Sequence, residues 1–186
     1  RDPETGAHIQ RMAYYSQIIA KGLGLDEKTQ KLILEAAPMH DVGKIGIPDY
    51  ILLKPGRLTF EEFEVMKSHA RLGHELLNGS GSETLRAGAE IAISHHEKYD
   101  GTGYPNALVG TKIPLFGRIV AVADVFDALT SERPYKKAWP LADACKFLED
   151  GRGKHFDPMC VEAFLAGWDE ALKVRQRFQD EEVPMI

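Results

Sequence analysis

Apolar residues recur along most of the chain at intervals of three and four, which is the period of an amphipathic helix. In the first such segment, from about Ala7 to Gly22, the apolar stripe includes Met12, Tyr15 and Ile19. No stretch of the sequence combines the alternating pattern of a strand with the turn residues of a hairpin. The pattern therefore predicts a compact all-α domain built around one core.

Capping residues predict where the later helices begin, at Asp26, Thr59, Ser82 and Asp157. Thr59 is followed by Glu62 at capping-box spacing, so we expect one helix that continues from there to Leu77. The helix after Ser82 should end near His95, and another helix should cover roughly residues 114–129.

Loop signals and chain length set the expected domain organisation. Glycines and prolines between residues 43 and 55 indicate a loop, and the sequence DGTGYP at 100–105 indicates a rigid turn. The chain has 186 residues, which fits one domain. We therefore predict a single domain over residues 1–174, followed by a polar C-terminal tail over residues 175–186.

The composition narrows the possible functions. The chain has 28 acidic residues against 23 lysines and arginines, a net charge of −5, which argues against binding DNA or RNA through the phosphate backbone. No apolar run approaches the roughly 18 residues that a membrane helix needs. The two cysteines lack metal-site spacing and fit a reducing compartment. We expect a cytoplasmic protein, with no membrane segment, that holds any anionic ligand by local charges.

Two pairs of adjacent residues carry side chains that bind metals: His40 with Asp41, and His95 with His96. Imidazole nitrogens and carboxylate oxygens together are typical ligands of iron, manganese, cobalt, nickel and zinc, with no thiolate required. The apolar stripe of the helix before DGTGYP also places His96 toward the core. These pairs make a buried metal site one interpretation of the sequence.

Helical spacing adds further candidates. Glu4 and His8 are four residues apart, so they project from one face if the first helix begins early enough, and could share an ion. Asp124 is the only charged residue on the apolar stripe of the helix expected over roughly residues 114–129. A carboxylate is costly there unless it is paired or bound to a metal. A single histidine is more often a core residue than a ligand, and we keep that interpretation for His74 and His155. The other candidates occur together in one helical chain, which favours a metal site.

Three segments carry a resemblance to a known family. They are HDVGK at 40–44, HHEKYDGTGYP at 95–105 and ADVFDALTSERPYK at 123–136. In this order they resemble the HD-GYP family of bacterial phosphodiesterases, a branch of the HD-domain metal-dependent phosphohydrolases. The match extends from ETGAH at 4–8 to HFDP at 155–158 and so covers almost the whole chain. It implies a helical HD-domain bundle with a metal cluster in its core.

The resemblance also implies a reaction, which is hydrolysis of cyclic di-GMP to linear pGpG and, in some members, onward to GMP. Two divalent ions would supply a nucleophile from water and neutralise the phosphate during in-line displacement. The ligands that the resemblance implies for the two ions are His40, Asp41, His69, His95, His96 and Asp124, with Asp41 as the catalytic bridge between them. His8 would join this cluster, and Glu4 stands where some members recruit a ligand for a third ion. Iron or manganese is expected, while nickel, cobalt and zinc would suit the same ligands.

Other residues receive roles beside the metal ligands. Lys44 lies one helical turn beyond His40, if the helix continues, and could stabilise charge that develops on the phosphate. By resemblance, Arg133 and Lys136 would bind a phosphate of the substrate that the ions do not reach. Asp127 would orient the ligands without binding an ion itself.

Several functional alternatives remain open at this point. The chain could be a non-catalytic sensor of cyclic dinucleotides, a module that binds a cyclase, or a phosphodiesterase for another cyclic dinucleotide such as cyclic GMP-AMP. Tyr104 would pack in the turn beside the site, although in the family this loop is also associated with contacts to diguanylate cyclases. The family's domain commonly follows a receiver or other sensory module, and the chain starts at Arg1 without a methionine, so we expect such a domain to precede it.

Overall fold

The computed structural model of the protein describes residues 6–132 and 137–179, and the chain there is built from helices. The α-helices in these two ranges are α1 (Gly6–Gly22), α2 (Glu27–Ala36), α3 (Asp49–Leu52), α4 (Phe60–Lys67), α5 (His69–Leu77), α6 (Glu83–Ser94), α7 (Leu115–Thr130), α8 (Leu141–Asp150), α9 (Pro158–Ala166) and α10 (Trp168–Arg177). Short 3-10 helices cover Ala37–Met39, Val42–Gly46 and Gly110–Lys112. Extended pairing in the described ranges is limited to two isolated bridges. The all-α prediction is confirmed.

The core lies where α1, α7 and α9 pack against one another. Three fully buried rings meet there: Phe126 lies 4.7 Å from Phe164 and 5.4 Å from Tyr15, measured between ring centroids. Tyr15 and Phe126 meet edge to face, a geometry that adds to the stabilisation from burial alone. Because α1 and α7 also carry His8 and Asp124, the same packing that stabilises the fold positions part of the site.

The predicted helix starts are confirmed by their capping hydrogen bonds. The Asp26 carboxylate accepts from the Thr29 amide at 2.8 Å, and Asp157 accepts from the Met159 amide at 2.9 Å. Thr59 forms the predicted capping box at the start of α4. Each cap satisfies amides that the first turn of a helix leaves without a partner. Because capping requires particular residue types, the sequence predicts where these helices begin.

Several elements differ from the sequence-based expectation. The single helix expected from Thr59 to Leu77 is two helices, α4 and α5, separated at Ser68, whose hydroxyl donates to the Val65 carbonyl. Helix α8 was not predicted, because few of its residues, such as Ala144 and Leu148, are buried and its apolar stripe is short. Because α4 and α5 are separate, the candidate ligand His69 is the first residue of a helix.

The C-terminal helix α10 continues through Arg177, and the division between residues 174 and 175 stays a prediction. In the described ranges, no helix combines the length and apolarity that crossing a bilayer requires.

Candidate metal centre

Seven of the eight predicted metal ligands lie together in one cluster of side chains. Its first group, called here the four-ligand group, is Asp41, His69, His95 and His96; its second, the three-ligand group, is His8, His40 and Asp124. Within each group the candidate ligand atoms all lie within 4.8 Å of one another. The groups adjoin, because His40 Nε2 lies 3.2 Å from Asp41 Oδ2 and 3.9 Å from Asp124 Oδ1. The eighth candidate, Glu4, and the predicted phosphate ligands Arg133 and Lys136 lie outside the described residues.

The junction after α2 brings the His-Asp pair into this cluster. Helix α2 ends at Ala36, and the chain continues as two short 3-10 helices with the pair between them. The second 3-10 helix lies against α5 at Gly43, where an added Cβ would stand 1.9 Å from the His69 carbonyl oxygen and 2.4 Å from the Gly73 nitrogen. Only glycine permits this approach, and the approach is what places Asp41 beside His69.

Four histidines are held in the same way, with Nδ1 engaged and Nε2 directed into the cluster. Nδ1 of His40, His69 and His95 lies 3.1, 2.6 and 3.0 Å from a backbone carbonyl oxygen three or four residues earlier. Nδ1 of His8 lies 2.7 Å from Asp127 Oδ2. A carbonyl or carboxylate oxygen only accepts, so Nδ1 carries the proton in each ring. This fixes the tautomer that offers the Nε2 lone pair to a metal.

The four-ligand group contains buried polar atoms that a bound cation would satisfy. Asp41 Oδ1 lies 3.1 Å from His69 Nε2 and 3.5 Å from His95 Nε2. All three atoms are buried, and none of them makes a hydrogen bond of acceptable geometry with the residues that the structure describes. A carboxylate oxygen and imidazole lone pairs repel one another unless a proton or a metal ion lies among them. The residues present therefore fit a divalent cation.

The protonation states suit metal binding. Burial alone would raise the pKa of Asp41, but the surrounding imidazoles of His40, His69 and His95 together outweigh it and hold the pKa well below its usual value. Burial, together with the neighbouring imidazoles of His95 and His69, lowers the pKa of His96 well below its usual value. At neutral pH Asp41 is therefore a carboxylate and His96 a neutral imidazole, which are the forms that ligate metals.

Lys44 occupies a different place from the one the sequence suggested. The helix does not continue as an α-helix past His40, so Lys44 is not one α-helical turn beyond that residue. The 3-10 helix instead puts Lys44 Nζ 2.8 Å from Asp41 Oδ2. The ammonium thus lies beside the proposed bridging carboxylate, at the edge of the cluster.

The DGTGYP turn covers one side of the four-ligand group. The Tyr104 ring stacks on His96 with centroids 4.8 Å apart, and Lys67 Nζ lies 5.5 Å from the centre of the same ring. Of the two roles left open for Tyr104, packing beside the site is the one that the geometry supports. The turn is anchored by Glu97, only 2% exposed, whose carboxylate accepts from the amides of Asn106 at 2.7 Å and Leu108 at 3.0 Å.

Sequence reasoning gave no role to two residues that support the site. Glu97 stands next to His96 in the sequence, but its anchoring of residues 106 and 108 is a tertiary contact. Arg11 is buried and pairs with Asp127, which itself contacts His8. The position of Arg11 one helical turn after His8 is the only signal in the sequence that could have indicated it.

Comparison with known proteins gives consistent matches. A family model described as the HD domain matches residues 1–160. A cyclic di-GMP phosphodiesterase response regulator, RpfG, from Xanthomonas campestris is 55% identical over 167 residues, covering 90% of this chain and 44% of that protein. A cyclic di-GMP phosphodiesterase from Thermotoga maritima is 50% identical over 182 residues, covering 98% of this chain and 50% of the relative. A 3'3'-cGAMP-specific phosphodiesterase 2 from Vibrio cholerae is 47% identical over 180 residues, covering 97% and 34%. The chain spans half or less of the length of these relatives.

Solved structures share the fold. A cyclic GMP-AMP specific phosphodiesterase from Vibrio cholerae aligns with a TM-score of 0.67 at 20% identity, covering 95% of this chain and 47% of the other. An HDG"Y"P protein from Bdellovibrio bacteriovorus aligns with a TM-score of 0.64 at 25% identity, covering 89% and 51%. The helical bundle expected from the sequence is the fold of both proteins.

Proposed function

The chain belongs to the HD-domain family, in its HD-GYP branch, and from this premise we propose that it is a metal-dependent phosphodiesterase that hydrolyses cyclic di-GMP. The observation that carries the proposal is the convergence of the four-ligand and three-ligand groups, with His40 Nε2 only 3.2 Å from Asp41 Oδ2 where they meet. The product is linear pGpG, with GMP as a possible second product. The reaction consumes a bacterial second messenger and belongs in the cytoplasm.

The two groups fit two divalent ions, with Asp41 shared between them. His69, His95 and His96 would complete one site, and His8, His40 and Asp124 the other. Glu4 is proposed to add a ligand for a third ion. Imidazole and carboxylate donors without thiolate suit iron or manganese, and nickel, cobalt or zinc would be the alternatives. Ions held there would make water a nucleophile at neutral pH and would neutralise charge on the phosphate.

The chain's own residues account for orientation and for charge beyond the ions. Asp41 is held as a carboxylate, and the carbonyl and Asp127 contacts hold four imidazoles with Nε2 inward. Lys44 places a positive charge at the edge of the cluster, where it can stabilise charge on a phosphate. Arg133 and Lys136 are proposed to bind the second phosphate of the substrate. Replacing Arg133 with Met should raise KM more than it lowers kcat.

The experiment that tests the function is a turnover assay on metal-loaded protein purified without oxygen, with elemental analysis of the same sample. The chain should linearise cyclic di-GMP, and the double variant His40→Ala with Asp41→Ala should lose turnover and metal. His74→Ala is the matched control, because His74 lies outside both groups and its Nδ1 contacts the Ala89 carbonyl oxygen. Binding of cyclic di-GMP without hydrolysis would support the non-catalytic sensor instead, and retained turnover in the double variant would sink the proposed mechanism.

Cyclic GMP-AMP is a second candidate substrate. It is favoured by the 47% identity to a relative that is named as specific for 3'3'-cGAMP. Parallel assays with cyclic di-GMP, cyclic GMP-AMP and cyclic di-AMP, compared by kcat/KM, would rank the three. A kcat/KM at least tenfold higher for cyclic GMP-AMP would replace the first candidate.

The DGTGYP turn is also proposed as a contact for a diguanylate cyclase. Thr102, Asn106 and Ala107 are exposed in and beside this turn, while Tyr104 is largely covered. A charge introduced at the exposed positions, for example by Asn106→Lys, should weaken binding to a cyclase domain without changing turnover. Equal binding by the variant would contradict the contact.

A further inference from the structure

We propose that Arg11 is a positioning residue for the metal centre, acting through Asp127 on His8, and that this support includes the end of α10. The inference rests on the proposed metal-dependent function, because it takes His8 as a ligand. It goes beyond that function by assigning a role in metal binding to a residue that belongs to neither ligand group.

The contacts form a continuous buried chain. Arg11 is 3% exposed, and its guanidinium grips both carboxylate oxygens of Asp127, with Nε 2.6 Å from Oδ1 and Nη2 3.0 Å from Oδ2. Asp127 Oδ2 in turn lies 2.7 Å from His8 Nδ1. His8 Nε2 then lies 3.7 Å from Asp124 Oδ1, its neighbour in the three-ligand group. One guanidinium therefore determines where a carboxylate sits, and that carboxylate determines where an imidazole sits.

The electrostatics explain why arginine is required. Asp127 faces N–H donors on two sides, the His8 ring nitrogen Nδ1 at 2.7 Å and the Arg11 guanidinium fork. Because a carboxylate oxygen only accepts, His8 Nδ1 carries the proton, and this leaves Nε2 as the metal-binding atom. Without the guanidinium, a buried carboxylate would lose its main compensating charge. A planar fork that meets two oxygens also fixes the carboxylate plane, which a lysine ammonium cannot do.

The same guanidinium reaches the end of α10. Arg11 Nη1 donates to the carbonyl oxygen of Phe178 at 2.8 Å, immediately after α10. The Phe178 ring stacks on Tyr14 with centroids 5.4 Å apart, and Arg175 Nη2 donates to the Thr130 carbonyl oxygen at 2.8 Å. Phe178, which lies in the segment that sequence reasoning assigned to a polar tail, thus contacts the support of the metal centre.

The test compares Arg11→Met and Arg11→Lys with Arg118→Met as the matched control. Arg118 also lies on a core helix and also pairs with a buried carboxylate, that of Asp157, at 2.6 Å, but its partners are not metal-ligand supports. Metal-free protein of each variant is titrated with Co²⁺ and with Mn²⁺, the Co²⁺ absorption spectrum is recorded, and urea unfolding of the metal-free protein is measured alongside.

We expect Arg11→Met to bind the ion of the three-ligand group about 10–100-fold more weakly, the range for loss of a ligand's supporting contact. The Co²⁺ spectrum should change, and Arg11→Lys should recover part of the affinity. Arg118→Met should lose stability yet bind both ions like the wild type. Unchanged affinity in Arg11→Met, or an equal loss in Arg118→Met, would overturn the inference while leaving the proposed function intact. Failure of the wild-type chain to bind Co²⁺ or Mn²⁺ would instead overturn the proposed function.

Discussion

At the scale of single residues, Lys44 lies beside the proposed bridging carboxylate, with Nζ 2.8 Å from Asp41 Oδ2. If it stabilises charge on the phosphate in the transition state, Lys44→Met should lower kcat about 10²-fold, the effect of removing one preorganised donor. Metal content should be retained, because an ammonium is not a ligand. Lys146→Met is the control, since Lys146 pairs with Asp150 on the surface. Steady-state kinetics with elemental analysis check this, and a kcat within twofold of wild type would contradict it.

His155 gives a prediction about pH and stability that is independent of the metal centre. Burial and the charge of Lys98 lower its pKa from 6.5 to about 4. Between these two values the unfolded chain binds a proton that the folded chain does not, so the folded state loses stability as pH falls from about 6.5 toward 4. His155→Gln should therefore show a smaller loss of unfolding free energy between pH 7 and pH 5 than the wild type. Urea unfolding at both values measures this, and equal losses would refute the assignment.

At the scale of elements, the contact between the 3-10 helix Val42–Gly46 and α5 holds the His-Asp pair against His69. Gly43→Ala should force the two elements apart, since the new Cβ would stand 1.9 Å from the His69 carbonyl oxygen. We expect a loss of about 2–3 kcal/mol in unfolding free energy, typical of overpacking, together with loss of metal from the four-ligand group. Gly81→Ala is the control, because nothing lies within 4 Å of the added Cβ there. Urea unfolding and metal analysis check both expectations. If Gly43→Ala kept its stability and its metal as Gly81→Ala does, the prediction would be wrong.

An element can be predicted from the sequence when interactions between residues close in the chain determine it. The starts of α2, α4 and α9 are local, because a capping side chain bonds an amide two or three residues away, and all three were predicted. The 3-10 helix at Lys44 is not local, since its form follows from packing against α5. The fork from Arg11 to Asp127 joins residues 116 positions apart, which no spacing rule detects. The motifs therefore predict which residues are candidate metal ligands, but they do not predict the tertiary contacts that orient those side chains.

At the scale of the whole molecule, the fold separates the metal centre from most of the packing that stabilises it. The rings of Tyr15, Phe126 and Phe164 lie in a core that includes no residue of the four-ligand or three-ligand group, while α1 and α7 carry side chains to both regions. The net charge of −5 is a sum over the whole chain and does not describe the site. Bound divalent ions would be the largest charges in the cluster, and they would make it attractive to a dinucleotide that the protein's overall charge repels.

This separation predicts what removal of metal does. Because the core does not depend on the ions, chelation with EDTA should leave the helical circular dichroism unchanged. Because the ions bind only the folded state, free metal at a hundred times its Kd adds about 2.7 kcal/mol, so chelation should lower Tm by about 5–10 °C. Added Mn²⁺ should restore Tm in the wild type and leave the His40→Ala, Asp41→Ala double variant unchanged. A Tm that is insensitive to EDTA, or a loss of helix on chelation, would show that the ions and the core are not related as the structure implies.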